Sequence, residues 1–421
     1  MISNGRLVSV VAACALAMTT RWLPAAEAPL SHDVYVWQRS WNSEVRSSLE
    51  QHGAAFSNIA ALSVEISWQA GQPQLTRVGI DYLALRTANS NAALVLRIGP
   101  YSGPFAADDR VGGLLVSTAA GILSEARRNG LEPAELQIDF DCADSKLEGY
   151  RVWVSALKAA VTPTPVTITA LPSWLKQSAF RPLVQMAGGF VLQVHSLERP
   201  KSPDAPFTLC DPRAAQAAVE QAGLAGVPFR VALPTYGYVM AFATNGRFVG
   251  LSAEGPAKDW PSNVILREVH SDAIELAALV QGWNAQRPEN MRGVIWYRLP
   301  VEGDILNWRW PTLGTIVAGR SPRESARAEP SRVGSGLVEI NLVNDGELDI
   351  SSRLAVQIRW QNDRLVAGDG LRGFELVEAG ASAARLQTGS QPYRLPAGAK
   401  QVIGWVRLNG NSEVQLELNK W

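Results

Sequence analysis

Alternation of strand and helix patterns is the feature that most limits what this chain can fold into. Most of the apolar, β-rich segments are separated by helical patterns, at residues 43–52, 114–128, 147–160, 213–222 and 273–284. Such alternation predicts a parallel sheet, and eight units match the size of a (β/α)8 barrel of the TIM type. An open, doubly wound sheet is the alternative, weakly disfavoured because no GxGxxG or P-loop follows any segment. The eight segments are residues 34–38, 62–68, 94–99, 136–141, 166–171, 190–195, 229–236 and 294–299.

A long insertion follows the seventh segment. It reads GYVMAFATNGRFVGLSAEGPAKDW, and Thr244-Asn245-Gly246 lies between two apolar runs, which is a hairpin signal. In a barrel this hairpin would stand over the C-terminal mouth, where ligands bind. A surface loop without a role at the mouth is the other interpretation.

The pattern changes after the last helical stretch. Residues 320–332 are polar and charged and contain two prolines, which is typical of a linker. Beyond them apolar and polar residues alternate with period two between turns such as Asn409-Gly410. We therefore predict an α/β chain with a barrel domain at 29–319, a linker at 320–332 and a small antiparallel β-sandwich at 333–421.

Residues 1–28 have the pattern of an export segment. Arg6 precedes an apolar run at residues 7–18, which is too short to span a bilayer but fits a signal peptide. Two processing routes fit: Val11-Ala12-Ala13-Cys14 resembles a bacterial lipobox with a lipidated Cys14, and Ala26-Glu27-Ala28 matches the small-residue cleavage pattern. Both predict an exported protein, in the periplasm or lipid-anchored in the bacterial envelope, and an uncleaved apolar tail is the remaining interpretation. Membrane contact is expected only through an anchor at Cys14.

Composition removes some ligand classes. The 39 Lys and Arg residues balance the 39 Asp and Glu residues, so there is no electrostatic case for nucleic acid. Neither CxxC nor HxH spacing occurs, and we expect no metal and no cofactor. Cys142 and Cys210 are open to two interpretations, a disulfide above the barrel rim or two buried free thiols.

Alternate residues along the strands divide into two sets. One set is continuously apolar, for example Leu136, Ile138 and Phe140, and should face the helices outside the barrel. The other set then faces the barrel axis. It contains Tyr35, Trp37, Arg39, Ser63, Glu65, Ser67, Arg97, Gln137, Asp139, Asp141, Thr167, Thr169, Gln193, His195 and Tyr236. In the eighth segment Trp296 and Arg298 share a side, and we assign that side to the same set.

Charged residues inside a barrel need partners or a function. Glu65, Arg97 and Asp139 lie on neighbouring strands, and an ion network that includes an Asp139–Arg97 pair would explain them. Asp141 lies at the carboxyl end of its strand, where barrel enzymes place their chemistry. A capping box at Ser145 and Glu148 leaves Asp141 free for that role, and the charge of Asp139 should raise its pKa. The candidate catalytic residues are Asp141, Asp139 and Glu65, and the candidate ligand-binding residues are Trp37, Arg97, Gln193, His195, Tyr236, Trp296 and Arg298.

Two resemblances follow from these motifs. LQIDFDCADSKLEGY resembles the fourth-strand motif of chitinase-type glycoside hydrolases. That resemblance implies a (β/α)8 barrel that cleaves glycosidic bonds with help from the substrate's acetamido group. It also implies a proton-donating glutamate two residues after the last aspartate, a position that Ala143 occupies here.

The second resemblance covers the whole barrel. VYVWQRSW, LQIDFDCADSKLEGY, ITALPSWL, LQVHSLERP, PFRVALPTYGY and GVIWYRLP together are similar to an uncharacterised bacterial family of exported proteins, a domain of unknown function. This resemblance implies export and supplies no established activity.

Three functions agree with the pattern. The first is a glycoside-acting enzyme in which Asp141 is the acid and Asp139, Glu65 or Glu198 is the second carboxyl group. The second is a glycan-binding protein of the envelope without catalysis, as the alanine at Ala143 would suggest. The third is a structural envelope lipoprotein that uses the sandwich as its partner surface. A carbohydrate ligand is the expectation of the first two, and fold alone does not choose among the three.

Overall fold

The computed structural model describes residue 1 and residues 29–89, 91–196, 200–253, 259–377 and 380–420. The predicted export segment with Cys14 lies outside the described residues, apart from residue 1, and so does Glu198. No described helix combines the length and the apolar character that crossing a bilayer requires.

Apart from the hairpin strand β3 and the inserted strands β9 to β11, the described elements alternate between strands and helices up to residue 317 and are strands thereafter. The helices are α1 (Ser43–His52), α2 (Tyr82–Ala88), α3 (Arg110–Arg128), α4 (Leu147–Val161), α5 (Phe180–Ala187), α6 (Pro212–Gly223), α7 (Ala273–Ala285) and α8 (Trp310–Val317), with short 3₁₀ helices at Gly53–Ala55, Asp144–Lys146 and Pro172–Lys176. The strands are β1 (Ser31–Val36), β2 (Asn58–Gln69), β3 (Gln72–Arg77), β4 (Ala92–Ile98), β5 (Glu135–Phe140), β6 (Val166–Ala170), β7 (Phe190–Gln193), β8 (Phe229–Pro234), β9 (Gly237–Ala243), β10 (Phe248–Ser252), β11 (Val264–His270), β12 (Met291–Tyr297), β13 (Ala326–Gly334), β14 (Leu337–Asn344), β15 (Ile350–Ser352), β16 (Leu354–Trp360), β17 (Leu365–Gly370), β18 (Phe374–Val377), β19 (Ala383–Thr388), β20 (Tyr393–Leu395), β21 (Lys400–Leu408) and β22 (Val414–Lys420).

Eight parallel strands close into a barrel. Their order is β1-β12-β8-β7-β6-β5-β4-β2, and β1 also pairs with β2, which joins the two ends of the sheet. β3 adds an antiparallel hairpin to the upper half of β2. Each predicted segment overlaps one of these eight strands, so the (β/α)8 barrel is confirmed and the open sheet is excluded.

Five helices lie where the sequence pattern predicts them, and three do not follow a clear pattern. α2 and α5 occupy the connections after the second and fifth barrel strands and have 7 and 8 residues. Two turns are too short to establish a 3.6-residue periodicity. The helices bury one apolar stripe against the outer face of the barrel; α4, for example, buries Tyr150, Trp153, Val154 and Leu157.

The start of α4 differs from the prediction. The chain enters α4 through the 3₁₀ turn Asp144–Lys146, and no side chain caps the helix. Asp144 accepts a hydrogen bond from Ser173 Oγ at 2.8 Å, and Glu148 pairs with Arg151 on the helix surface. The capping box at Ser145 and Glu148 is therefore wrong, because the residue before the helix is Lys146 and Glu148 pairs with Arg151.

An ion triad fills the N-terminal end of the barrel. Arg230 Nη1 lies 2.8 Å from Asp33 Oδ2, and Arg230 Nη2 contacts Glu135. The side chains of Arg230 and Glu135 are each 13% exposed and that of Asp33 is 4% exposed. Positions 33 and 135 precede the predicted strand segments by one residue, so the alternation pattern did not predict this network.

The insertion after β8 forms a small sheet over the barrel. β9 pairs antiparallel with β10 and with β11, in the order β10-β9-β11. The turn between β9 and β10 contains Asn245 and Gly246, so the predicted hairpin is confirmed. Tyr238, Met240 and Phe242 of β9 are buried together with Tyr236 and Leu209, which fixes this sheet over the C-terminal mouth.

The C-terminal strands form the predicted antiparallel β-sandwich. One sheet has the order β13-β14-β21-β17, the other has the order β18-β19-β16-β22, and β15 pairs with β20. Side chains from both sheets share one apolar core, which includes Ile340, Val356, Leu386 and Ile403.

The linker prediction is wrong over residues 326–332. β13 begins at Ala326 and pairs with β14 along its length, with Ala326 and Ala328 packed against the sandwich core. β13 is an edge strand with one half-buried face, which explains both its polar composition and its tolerance of Pro330. Arg394 of the sandwich pairs with Asp349 and with Glu268 of β11, and so connects the sandwich to the barrel.

Candidate functional site

A pocket of about 250 Å³ opens at the carboxyl ends of the barrel strands. This is the end of a (β/α)8 barrel at which ligands bind. Seven of the predicted site residues line it: Trp37, Arg97, Asp139, Asp141, Gln193, His195 and Tyr236. The other lining residues are Tyr35, Thr169, Ser196, Ala232, Tyr238, Leu251, Ala253 and Tyr297.

Asp139 is held by its neighbours. Its Oδ2 lies 2.7 Å from Arg97 Nη1, and its Oδ1 accepts a hydrogen bond from Thr169 Oγ1 at 2.8 Å. Arg97 and Thr169 are on the strands on either side of β5, which bring these groups into register. Burial opposes the guanidinium charge, but nearby negative groups, Asp139 first, outweigh it and raise the pKa of Arg97. The predicted Asp139–Arg97 pair is confirmed.

Glu65 belongs to this network and does not line the pocket. Its Oε2 accepts hydrogen bonds from Arg39 Nε and Nη2 at 3.2 and 2.8 Å, and its Oε1 lies 3.6 Å from Arg97 Nε. Both carboxylate oxygens are thus occupied by arginine. The structure places Glu65 as a neighbour of Arg97, on the far side of that guanidinium from Asp139.

Asp141 is on the same face of the chain as Asp139 and one residue beyond the end of β5. It is exposed at the pocket mouth, and among the described residues no hydrogen bond or ion pair reaches it. Loss of hydration raises the pKa of Asp141, the charge of Asp139 raises it further, and Arg97 opposes both effects. The predicted direction of the shift is correct, with hydration loss as the larger cause and Asp139 as the second.

Aromatic rings form one wall of the pocket. The ring centroids of Trp37 and Tyr297 are 5.1 Å apart, and Tyr35 lies 5.5 Å from Trp37 and 5.8 Å from Tyr297. A hydrogen bond from Gln137 to the hydroxyl of Tyr35 holds this ring in place. This wall offers flat apolar surface next to the carboxyl group of Asp141.

A row of neutral polar groups adjoins the aromatic wall, because the ring of Tyr297 lies 5.4 Å from that of Tyr236 and 5.7 Å from that of His195. Tyr236 lies between its two partners, with its hydroxyl 3.3 Å from His195 Nδ1 and 3.2 Å from the hydroxyl of Tyr238. The Tyr238 hydroxyl also contacts Ser196. Burial lowers the pKa of His195 to about 3, so the imidazole is neutral near pH 7 and cannot supply a positive charge. Gln193 donates to the carbonyl of His195 at 3.3 Å and supports this wall.

Trp296 and Arg298, predicted to face the ligand, do not line this pocket. Trp296 is fully buried, and its Nε1 donates to His32 Nδ1 at 3.0 Å. Arg298 is 2% exposed, and its Nε donates to Asp304 at 2.9 Å. Tyr297, between them, points into the pocket instead.

The pairing register supplies the physical reason. In parallel strands, paired residues share a face, and Trp296 pairs with Val34 and Leu233 on the outward face of the neighbouring strands. The apolar run of β12 shows no alternation of its own, so the sequence did not reveal which residues face inward. A register argument from Tyr35 on β1 would have found Tyr297.

The two cysteines are buried and unbonded, so the disulfide interpretation is wrong. Burial raises the pKa of each thiol to about 12, which disfavours the reactive thiolate. Among the described residues, no group of three or more His, Cys, Asp or Glu side chains is placed to hold a metal ion.

Comparison with known proteins identifies two matching families. Residues 106–302, from the loop before α3 to the end of the barrel strands, match a family described as a domain of unknown function (DUF3142). Residues 327–409, in the sandwich, match a second family with the same kind of description (DUF8456). The first match confirms the resemblance to a domain of unknown function, and the second was not predicted. No curated protein matches the chain.

Several solved structures are similar to the chain. The spore cortex-lytic enzyme SleL of Bacillus cereus is 12% identical, with a TM-score of 0.46, and the match covers 69% of this chain and 74% of that one. A chitinase from Chromobacterium violaceum is 14% identical, with a TM-score of 0.46, over 69% of this chain and 99% of that one. The C-terminal domain of a putative chitinase from Desulfitobacterium hafniense is 10% identical, with a TM-score of 0.49, and the match covers 69% of this chain and 99% of that one. At these sequence identities the similarity concerns the backbone fold alone.

Proposed function

We propose that the barrel binds a carbohydrate at its C-terminal mouth, with Asp141 as the principal polar contact. One observation carries the proposal: Asp141, without a partner among the described residues, faces a pocket walled by aromatic rings. Rings offer a flat apolar surface to the C–H faces of a sugar, and a carboxylate accepts hydrogen bonds from its hydroxyl groups. A concave site that combines apolar surface with placed polar groups is the usual form of a small-molecule site.

Glycoside hydrolysis is the second candidate, and one observation favours it. The raised pKa of Asp141 is the property of a proton donor. Hydrolysis by two carboxyl groups needs a second one free to act as nucleophile or base. The second carboxyl group in the described pocket lining is Asp139, and Arg97 and Thr169 occupy it. Ala143 also cannot donate a proton, so binding is the function that the site supports better.

Asp141→Asn is expected to weaken glycan binding at least about tenfold, because a hydrogen bond to a charged group contributes about 1.5–3 kcal/mol. Asparagine keeps the size of the side chain and removes its charge. The measurement is a glycan array screen followed by calorimetric titration of each glycan that binds. Asp108→Asn, at an exposed aspartate away from the pocket lining, is the matched control and should bind like the wild type. Glycan binding that survives Asp141→Asn unchanged, or a complete absence of binding to glycans, would contradict the proposal.

The pH dependence distinguishes binding from hydrolysis. If the charged carboxylate of Asp141 accepts hydrogen bonds from the ligand, affinity rises as pH increases through the raised pKa of Asp141. If Asp141 donates a proton in hydrolysis, the rate falls over the same interval. We expect the first result, measured as the dissociation constant between the ordinary carboxyl range and neutral pH. The dissociation constant of Asp141→Asn should not change with pH over this interval.

We further propose that the protein is exported and meets its ligand outside the inner membrane. The support is Arg6 followed by the apolar run at residues 7–18. Expression of the full chain followed by cell fractionation should find it outside the cytoplasm without residues 1–13 or without residues 1–28, according to the processing route. Cys14→Ser should release it from the membrane fraction if the lipobox is used and should change nothing if cleavage follows Ala28. Recovery of the intact chain, including its first residues, from the cytoplasm would contradict export.

A further inference from the structure

We propose that the preferred ligand of this pocket is an amino sugar, a glycan unit with a protonated primary amine. The inference rests on the proposed carbohydrate function and adds the charge of the ligand. It follows from the balance of charges in the pocket and from the chemistry of its walls.

The pocket has a net negative charge that no described group balances. Its described lining contains the carboxylates Asp139 and Asp141 and one guanidinium, Arg97. Arg97 is committed to Asp139 at 2.7 Å and to Glu65 at 3.6 Å. His195 remains neutral near pH 7. Among the residues that the structure describes, none is left to pair with Asp141, and we assign its charge to the ligand.

The charge of a ligand determines how favourably it binds beside the carboxylate of Asp141. A uronic acid would place a second carboxylate beside Asp141 and be repelled. A neutral sugar would donate hydroxyl hydrogen bonds but leave the charge of Asp141 uncompensated while displacing water from it, which costs free energy. An ammonium group donates charge-assisted hydrogen bonds, which are about twice as strong as neutral ones, and cancels the charge.

One ring of the pocket already has a cation beside it, because Arg97 Cζ lies 5.7 Å from the ring centroid of Trp37. A bound ammonium would also relieve both effects that raise the pKa of Asp141, since it supplies a partner in place of lost water and offsets the charge of Asp139.

The test compares three sugars that differ at one substituent. Glucosamine, N-acetylglucosamine and glucose, each as the monosaccharide and as short β-linked oligomers, are titrated calorimetrically into the full-length protein at mildly acidic pH and low salt. We expect the glucosamine form to bind about tenfold or more tightly than the other two. The preference should decrease at high salt, because ions screen a charge interaction at an exposed mouth. It should vanish in Asp141→Asn and persist in Asp108→Asn.

The outcomes separate this inference from the function on which it rests. Equal binding of the three sugars, tighter binding of the acetylated or hydroxyl form, or binding of other glycans alone would overturn the amine preference and leave carbohydrate binding in place. Ethanolamine is a further probe, since it carries the amine without the sugar ring. If it binds as tightly as glucosamine, or if glycans do not bind at all, the carbohydrate function itself is overturned.

Discussion

Replacing Arg230 with methionine is expected to lower the free energy of unfolding by about 3–5 kcal/mol, since removing one member of a buried ion group leaves the other charges uncompensated. Arg230 holds Asp33 and Glu135 at the closed end of the barrel, where both carboxylates are largely removed from water. Methionine fills a similar volume, so a cavity contributes little to the expected loss. Urea unfolding of the wild type and the variant, followed by tryptophan fluorescence, measures the difference.

Two further variants isolate the cause. Arg151→Met removes an arginine from an exposed pair with Glu148 on α4, where the side chains are 39% and 62% exposed, and should change stability by less than about 1 kcal/mol. The triple variant Arg230→Met, Asp33→Asn, Glu135→Gln removes all three charges and should recover much of the loss. If Arg230→Met is no less stable than Arg151→Met, the triad does not hold the end of the barrel together.

Acidification should reduce the difference in the free energy of unfolding between Arg230→Met and the wild type. Burial raises the pKa of Asp33 above its ordinary value, and Arg230 opposes that rise. Without Arg230 the folded-state pKa rises further, so the folded variant binds protons more tightly than the unfolded chain does. A carboxyl group with a raised pKa stabilises the fold as pH falls, and that contribution is lost as pH rises through the folded-state value. The difference between variant and wild type should therefore be largest at neutral pH and decrease towards the ordinary carboxyl range.

The barrel could be predicted because its strands carry two separable signals. Segments such as β4 and β5 combine a continuous apolar face with polar residues on the other, which fixes both the strand and its inward side. The pairing of Asp139 with Arg97 and the location of Asp141 at the mouth both follow from this alternation of inward and outward residues. Both are local consequences of period two along one strand and of neighbouring strands in register.

The errors arose where the local signal is absent or ambiguous. β12 is apolar on both faces, so its inward residue, Tyr297, follows only from pairing with β1 and β8. β13 resembles a linker because an edge strand needs few apolar residues. Arg230, Asp33 and Glu135 are far apart in sequence and meet only because the barrel closes. Contacts of that kind depend on the closed sheet, and no single segment encodes them.

Asp139→Ala is expected to cost about 3 kcal/mol of stability, the lower end of the range for breaking a buried ion pair. Asp139 is 5% exposed and is the closest anionic partner of Arg97, and Thr169 loses the acceptor for its hydroxyl proton. The cost stays at the lower end because the side chain of Arg97 is 34% exposed and retains Glu65 at 3.6 Å. Chemical unfolding measures this loss, and Asp139→Asn, which keeps a hydrogen-bond acceptor, should lose less.

The comparison with Asp141→Asn tests whether the deeper aspartate, Asp139, stabilises the fold while Asp141, at the mouth, binds the ligand. Asp141 has no described partner to lose, so Asp141→Asn should unfold within about 0.5 kcal/mol of the wild type, the usual range for a surface substitution. Its deficit should appear in ligand binding alone, whereas Asp139→Ala should lose stability first. The same unfolding experiment on both variants decides the matter. An early-melting Asp141→Asn beside a stable Asp139→Ala would reverse the assignment, because the structural carboxylate would then be the one at the mouth.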